Sequence, residues 1–245
     1  MTKQIKSPET GAGVAAVDRA LKIVAAIESE AEPLSLAQIA TATGFYKSTI
    51  LRLIESLEAA HYVTRVQDGR FGLGVMAFRL GLAYERANML RQHVLPALQK
   101  LVAAGSESAS FHVRQDASRR LCLFRVDSNH STLDRVRAGD VLPLNRGAAG
   151  RILLAFSGEP GAKHDEARRS YFALSLGERD PECAGMAVPV FGVGGALKGA
   201  LSLSGAADRF TDAMVTGYRP KLLRAASDLT RLLGGEYSGP LRRAS

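Results

Sequence analysis

The sequence predicts an α+β chain with a small N-terminal winged helix-turn-helix, a connecting helix and a larger C-terminal α/β unit. Three observations carry this. Residues 14–57 place apolar side chains at helical spacing, interrupted at Pro33 and Gly44. Residues 62–73 alternate like two short strands around Asp68-Gly69, a strong hairpin signal. After residue 105, short apolar strands mix with isolated helical stretches, the pattern of a sheet layered with helices. A chain of 245 residues with 46% hydrophobic content can build more than one such core.

Each N-terminal element has its own signal. In residues 14–30, Val17, Leu21, Val24 and Ile27 recur every three or four positions and mark an amphipathic helix. Pro33 ends that pattern. Ser35 with Gln38 three residues later forms a capping box that opens a second helix. Gly44 supplies the turn with a residue tolerant of positive φ. The third helix places Ile50, Leu53, Ile54 and Leu57 on one face and Ser48, Arg52 and Glu55 on the other. Such a unit presents the first turn of its third helix to base edges and phosphates in a DNA major groove. The candidate DNA contacts are therefore Ser35, Tyr46, Lys47, Ser48, Thr49 and Arg52, with Arg65 and Arg70 on the wing. Lys47 can neutralise a phosphate, and Arg52 can fork onto guanine O6 and N7.

Residues 76–91 read as the connecting helix, with Gly81 inside it. The second unit opens with a helix at 94–104. Strands follow at 108–114, 121–126 (apolar but for Arg125) and 133–137. A helix at 147–156 is followed by a strand pair at 185–191 and 196–204 around Gly192 to Gly195. A helix at 211–233 closes the unit. The start of the Gly147 helix is a natural place for a carboxylate, because its free N–H groups and positive dipole end point outward. Ser202 and Ser204 lie two apart on a strand and project to one face, suited to donate to a ligand there.

Composition narrows the function classes. The net charge of +8 favours an anionic partner, but residues 1–90 hold ten basic and nine acidic side chains, so most of the excess lies further on. The DNA reading therefore rests on local pattern rather than on bulk charge. Cys122 and Cys183 have no metal-type spacing, and the five histidines form no HExxH. No metal or cofactor is expected. No GxSxG or paired-carboxylate constellation marks a catalytic centre, and Gly192-x-Gly194 and Gly11-x-Gly13 do not complete a nucleotide fingerprint. No run of about 18 apolar residues or secretory signal occurs, so a cytoplasmic protein is expected.

The chain resembles the IclR family of bacterial transcription regulators. The resemblance is carried by Val17-Asp18-Arg19-Ala20-Leu21-Lys22-Ile23-Val24, by Leu34-Ser35-Leu36-Ala37-Gln38-Ile39-Ala40, by residues 44–54 and by Gly69-Arg70-Phe71-Gly72-Leu73-Gly74, and it extends to about Leu233. It implies a GAF-like α/β C-terminal domain that binds a small organic effector, a carboxylate or an aromatic acid, and a homodimer or dimer of dimers on an operator. By residue matching, Ala148, Ala149, Glu178, Gly185, Ser202 and Ser204 fall at effector contacts. The chain departs from the family at Phe45-Tyr46, at Asn145 and Arg151, and in a shortened segment at 157–175. The implied organisation is a flexible arm at 1–13, the winged helix-turn-helix at 14–75, a linker helix at 76–91, the effector-binding domain at 92–235 and a flexible tail at 236–245. The rival readings are an architectural DNA binder with a degenerate sensor, and a small-molecule enzyme that uses its N-terminal domain for assembly.

Overall fold

The computed structural model describes residues 13–87, 90–128 and 136–240. The arm at 1–12, the start of the strand expected at 133–137 and the last five residues of the tail lie outside these. The chain divides into two compact units, Met1–Asn88 and Met89–Ser245.

The first unit runs α1 (Ala15–Glu28), α2 (Leu36–Thr43), α3 (Lys47–Ala59), β1 (Val63–Arg65), β2 (Phe71–Leu73) and α4 (Val75–Ala87). Its core gathers Ile23, Ile27, Leu34, Ile39, Ile50, Ile54, Leu57, Val63 and Phe71, so α1, α2, α3 and the hairpin share one apolar centre. The capping box at the start of α2 is complete: the Ser35 hydroxyl accepts from Gln38 N–H, and the Gln38 side chain accepts from Ser35 N–H at 2.8 Å. Gly44 ends α2 in the left-handed region at φ 73°, as the turn requires. The hairpin strands pair antiparallel, and Leu34 adds a further bridge to Phe71. The expected stripe on α1 needs correction. Val17 and Leu21 are 53% and 58% exposed, and the buried positions are Ile23 and Ile27. The core takes the second half of the expected stripe, with Ile27 buried and Val24 partly so, together with Ile23, which the expected stripe did not include. Replacing Ser35 by Ala should cost about 1 kcal/mol, the usual worth of an N-cap, read as a lower urea midpoint for the N-terminal transition.

The second unit runs α5 (Leu90–Ala103), β3 (Ser108–Arg114), β4 (Arg119–Asp127), β5 (Val141–Pro143), α6 (Gly147–Phe156), α7 (Ala162–Ser170), β6 (Ala173–Leu176), β7 (Cys183–Phe191), β8 (Leu197–Ala206) and α8 (Asp212–Leu232). Leu90 and Arg91, expected in the linker helix, open α5 instead. That helix buries Val94, Leu98 and Leu101 in the second core, which fixes its membership. Val136 and Arg137, expected to end a strand, have no strand conformation. The elements β5, α7 and β6 were not expected.

Six strands form one antiparallel sheet in the order β5-β4-β3-β8-β7-β6. Its two faces differ in chemistry. Ala109, Phe111, Met186, Val188, Val190, Leu201 and Leu203 pack with Leu98 of α5 and with Leu222, Leu223 and Leu229 of α8. The opposite face carries small residues, with Ala173, Ala187 and Ala200 packed with Ile152 and Leu153 of α6 and Ala167 of α7. Small side chains on this face let α6 approach and leave space beside it.

Candidate functional site

In the first unit the exposed residues at the head of α3 form one strip. Tyr46 is the N-cap position and is 85% exposed; Lys47, Ser48 and Arg52 are exposed, and Thr49 is partly covered. The opposite face is anchored by Ile50, Ile54 and Leu57, all buried. Ser48 and Arg52 stand four residues apart and therefore share a face. Ser35 is occupied in the capping box at the start of α2. The wing arginines already have intramolecular partners. Arg70 Nε pairs with Asp68 Oδ2 at 2.6 Å, and its Nη1 donates to the Pro33 carbonyl at 3.3 Å. Asp68 also accepts from the Arg70 N–H, and these bonds hold its carboxyl below the usual range. Arg65 lies over the Phe71 ring at 4.9 Å. Both arginines thus shape the wing itself.

In the second unit a cavity opens between α6 and the small-residue face of the sheet. Strand register builds it in two rows. Ser175 pairs with Gly185, Gly185 with Ser204, and Ser204 with Ser108. The next row pairs Ala187 with Ser202, Ser202 with Ser110, and Ser110 with Arg125. Directly paired residues share a face, so serines from β3, β6 and β8 meet on one side of the sheet. The Ser110 and Ser202 hydroxyls lie 3.0 Å apart, Ser110 lies 3.1 Å from His112 Nε2, and Ser108 and Ser204 hydroxyls are 2.9 Å apart. The first turn of α6 closes the cavity with Gly147, Ala148 and Ala149.

Of the residues expected at a ligand, the cavity brings together Ala148, Ala149, Gly185, Ser202 and Ser204. Glu178 stands apart from its lining. Its carboxylate pairs with Arg151 Nη2 and accepts from the Gly147 N–H at 3.1 Å, with Lys163 at 3.7 Å. Burial raises its pKa, but Arg151, the Gly147 N–H and Lys163 together outweigh this and hold the carboxyl below the usual range. The chain thus supplies its own carboxylate to the first N–H of α6, an end that the sequence reading left to a ligand. Arg151 also donates to the Leu174 carbonyl at 2.7 Å, so it clamps α6 to β6 from outside the cavity.

Sequence reasoning missed Ser110, His112, Arg120, Ser175 and Arg179 in the lining, and noted Arg125 without a role. Arg120 donates to the carbonyls of Pro143 and of Arg146, the latter at 2.8 Å, which fixes the turn leading into α6. Gly150 keeps this corner tight. A Cβ there would lie 2.1 Å from the Leu144 carbonyl oxygen and 3.1 Å from Arg120 Nη1. Gly150→Ala should therefore cost about 1–3 kcal/mol by overpacking, read as a lower Tm, with weaker occupancy of the cavity because α6 is displaced.

Comparison with known proteins follows the same division. Residues 16–67 match the profile described as the IclR helix-turn-helix domain, and residues 162–231 match the one for the bacterial transcriptional regulator IclR C-terminal region. The chain is 24% identical to the transcriptional regulator XynR of Escherichia coli, over 90% of this chain and 98% of that protein. It is 23% identical to the transcriptional repressor IclR of the same organism, over 94% and 93%. Among solved structures, an IclR-type regulator from a Silicibacter species superposes with a TM-score of 0.78 at 23% identity, over 94% of this chain and 100% of that one. An IclR homologue from Microbacterium hydrocarbonoxydans, solved with 4-hydroxybenzoate, gives 0.75 at 20% identity, over 89% and 100%.

Proposed function

The chain belongs to the IclR family and is a DNA-binding transcription regulator, and from that premise we propose that a small organic acid in the α6–sheet cavity controls its grip on an operator. The observation that carries the proposal is the cavity. Serines of three strands, the first turn of α6 and three arginine side chains converge on it. Hydroxyls, backbone N–H groups and guanidinium groups all donate to carboxylate oxygens. The Microbacterium neighbour holds an organic acid, 4-hydroxybenzoate, which agrees with this chemistry.

On the DNA side, the head of α3 enters the major groove. Tyr46, Lys47, Ser48 and Thr49 lie near phosphates and base edges, and Arg52 reads a base. Ser35 sets the pitch of α2 under it, and the wing residues Arg65 and Arg70 approach the flanking backbone. A homodimer places two such helices about 34–36 Å apart on an inverted repeat, and two dimers can pair on a longer operator. Among the described residues no helix is long and apolar enough to cross a membrane, and we place the working protein with the DNA in the cytoplasm. The reading is of a binding protein without catalysis.

An acid changes operator affinity only if it binds the two arrangements of the dimer unequally. The test is fluorescence anisotropy of a duplex selected from random sequence by the full-length chain, across several salt concentrations. Steep salt dependence and preference over random DNA are expected. Addition of 4-hydroxybenzoate or a short aliphatic acid should shift the operator Kd about 5- to 150-fold, the usual span of allosteric coupling. Acid that binds the chain without moving the operator Kd would leave an architectural DNA binder.

A further inference from the structure

We infer that Tyr237 is a positioning residue for the bound acid: from outside the cavity it closes a cluster of rings that holds the cavity-lining elements in place. The inference rests on the reading of the α6–sheet cavity as the effector site. Three elements reach that cavity and also meet at an aromatic ring away from it. The helix α6 lines it with Gly147, Ala148 and Ala149 and ends on Phe156. The strand β7 lines it with Ala184, Gly185 and Met186 and ends on Phe191. The strand β6 lines it with Ser175, and Tyr171 stands just before that strand begins at Ala173. The three rings touch. Phe156 lies edge-on to Tyr171 at 5.1 Å and to Phe191 at 5.3 Å between centroids, and Tyr171 and Phe191 are 6.0 Å apart.

The fourth ring comes from the segment after α8. That helix closes with Gly234 in the left-handed region at φ 73°. The Gly234 N–H donates to the Arg231 carbonyl at 3.0 Å and the Gly235 N–H to the Thr230 carbonyl at 2.8 Å, the paired bonds that turn a chain back from a helix end. Thr230 ties the same corner to β7, its hydroxyl accepting from the Phe191 N–H at 3.0 Å. Tyr237 is then seated 5.4 Å from the Tyr171 ring and 6.3 Å from the Phe191 ring. Gly239 is pressed against two of these rings: a Cβ there would stand 2.6 Å from Tyr171 Cδ1 and 2.6 Å from Tyr237 Cε1. Tyr171 itself holds φ at 52°, a conformation that a bulky residue adopts only where its surroundings enforce it.

Edge-to-face rings prefer set separations and angles, and close-packed interiors transmit strain. The ten residues of α6 make a rod about 15 Å long, so a tilt at Phe156 displaces Ala148 and Ala149 against the serines of the sheet. Arg168 also holds this end of α6, donating to the Ala155 and Glu159 carbonyls. Loss of Tyr237 therefore loosens the end without freeing it. The Tyr237 hydroxyl is buried and makes no hydrogen bond among the described residues, so the holding is done by the ring.

The test is calorimetric titration of 4-hydroxybenzoate and of succinate into the full-length protein, together with hydrogen exchange of the α6 amides. Tyr237→Ala should weaken whichever acid the wild type binds by about 3- to 30-fold, the span for residues that act on a site through packed neighbours. It should speed exchange in α6 while α5 keeps its protection, and leave the acid-free operator Kd unchanged. Tyr237→Phe keeps the ring and should bind the acid within about twofold of the wild type. Gly239→Ala, which drives the Tyr171 and Tyr237 rings apart, should act in the same direction as Tyr237→Ala and takes its place if that variant does not fold. An acid Kd untouched by the ring-disrupting variants overturns the inference and leaves the effector reading standing. Tyr237→Phe as weak as Tyr237→Ala overturns it too, by assigning the effect to the hydroxyl. So does loss of protection throughout the second unit, which would make Tyr237 a general support of the fold. If neither acid binds the wild type, the inference fails along with the effector reading.

Discussion

Arg52→Ala is expected to lose about 1–3 kcal/mol of operator affinity per half-site and to flatten base preference at one position in each. The reasoning starts from position. Arg52 is exposed one turn beyond Ser48, on the face opposite the buried Ile50 and Ile54. A guanidinium there is free of the core and can present two parallel N–H donors to guanine O6 and N7, which no other base pair matches in the same way. Loss of the fork removes discrimination first and general affinity second. Lys47→Ala should behave differently, weakening every sequence alike and lowering the salt slope by about one per half-site. The pair is separated by measuring each variant against duplexes substituted one base pair at a time. The folded state should be nearly unaffected, within about 0.5 kcal/mol, because the substitution is at the surface. Uniform weakening by Arg52→Ala across all duplexes would reassign the residue to a phosphate.

The two units were legible to different degrees, for physical reasons. In the first, punctuation is local. The Ser35–Gln38 box, Gly44 and Asp68-Gly69 each act within a few residues, and each sits in the structure where its chemistry demands. The error there concerned how far the buried stripe on α1 extends, and the omission of Ile23. Periodicity reports that a stripe exists and not how much of it is covered: Val24 and Ile27 meet the core, while Leu21 and Val17, one and two turns earlier, stay exposed. In the second unit, α7 escaped notice because it has almost no apolar face. Its sequence AKHDEARRS buries Ala167 alone. The edge strands β5 and β6 are three and four residues long, too short for alternation to register.

The cavity shows the same limit at the level of a site. Ser202 and Ser204 were readable because two residues on one strand settle their common face. Their partners Ser110 and Ser108 lie 92 and 96 positions away in the chain, and only the β3–β8 pairing brings them together. Arg120 and Arg125 were hidden for a sharper reason: an odd separation places them on opposite faces of an unbroken strand, and nothing local announces the bulge. Glu178 reads as a ligand residue only through the family resemblance, and it turns to Arg151 and the Gly147 N–H instead.

Phe78→Asp should separate the proposed dimer. The helix α4 has no buried residue, yet Val75, Phe78 and Leu82 repeat at helical spacing and are all exposed, Phe78 at 67%. Helices owe most of their stability to packing of an apolar face, and Val75, Phe78 and Leu82 are left exposed among the described residues of the first unit. A second copy related by a twofold axis meets the requirement with the same residues from both sides. Burying one Phe side chain is worth about 1.5–3 kcal/mol, and the twofold doubles it, so the substitution should weaken dimerisation by about 3–6 kcal/mol. A carboxylate placed opposite its own copy adds repulsion in the same direction. Sedimentation equilibrium should show the wild type as a dimer or larger at concentrations where the variant is monomeric, with α-helical content unchanged by circular dichroism. Operator binding then falls to that of a single half-site, because the two reading helices no longer arrive together. A variant that remains dimeric and keeps its operator affinity would move the subunit contact off α4 and leave Phe78 as an exposed ring without that role.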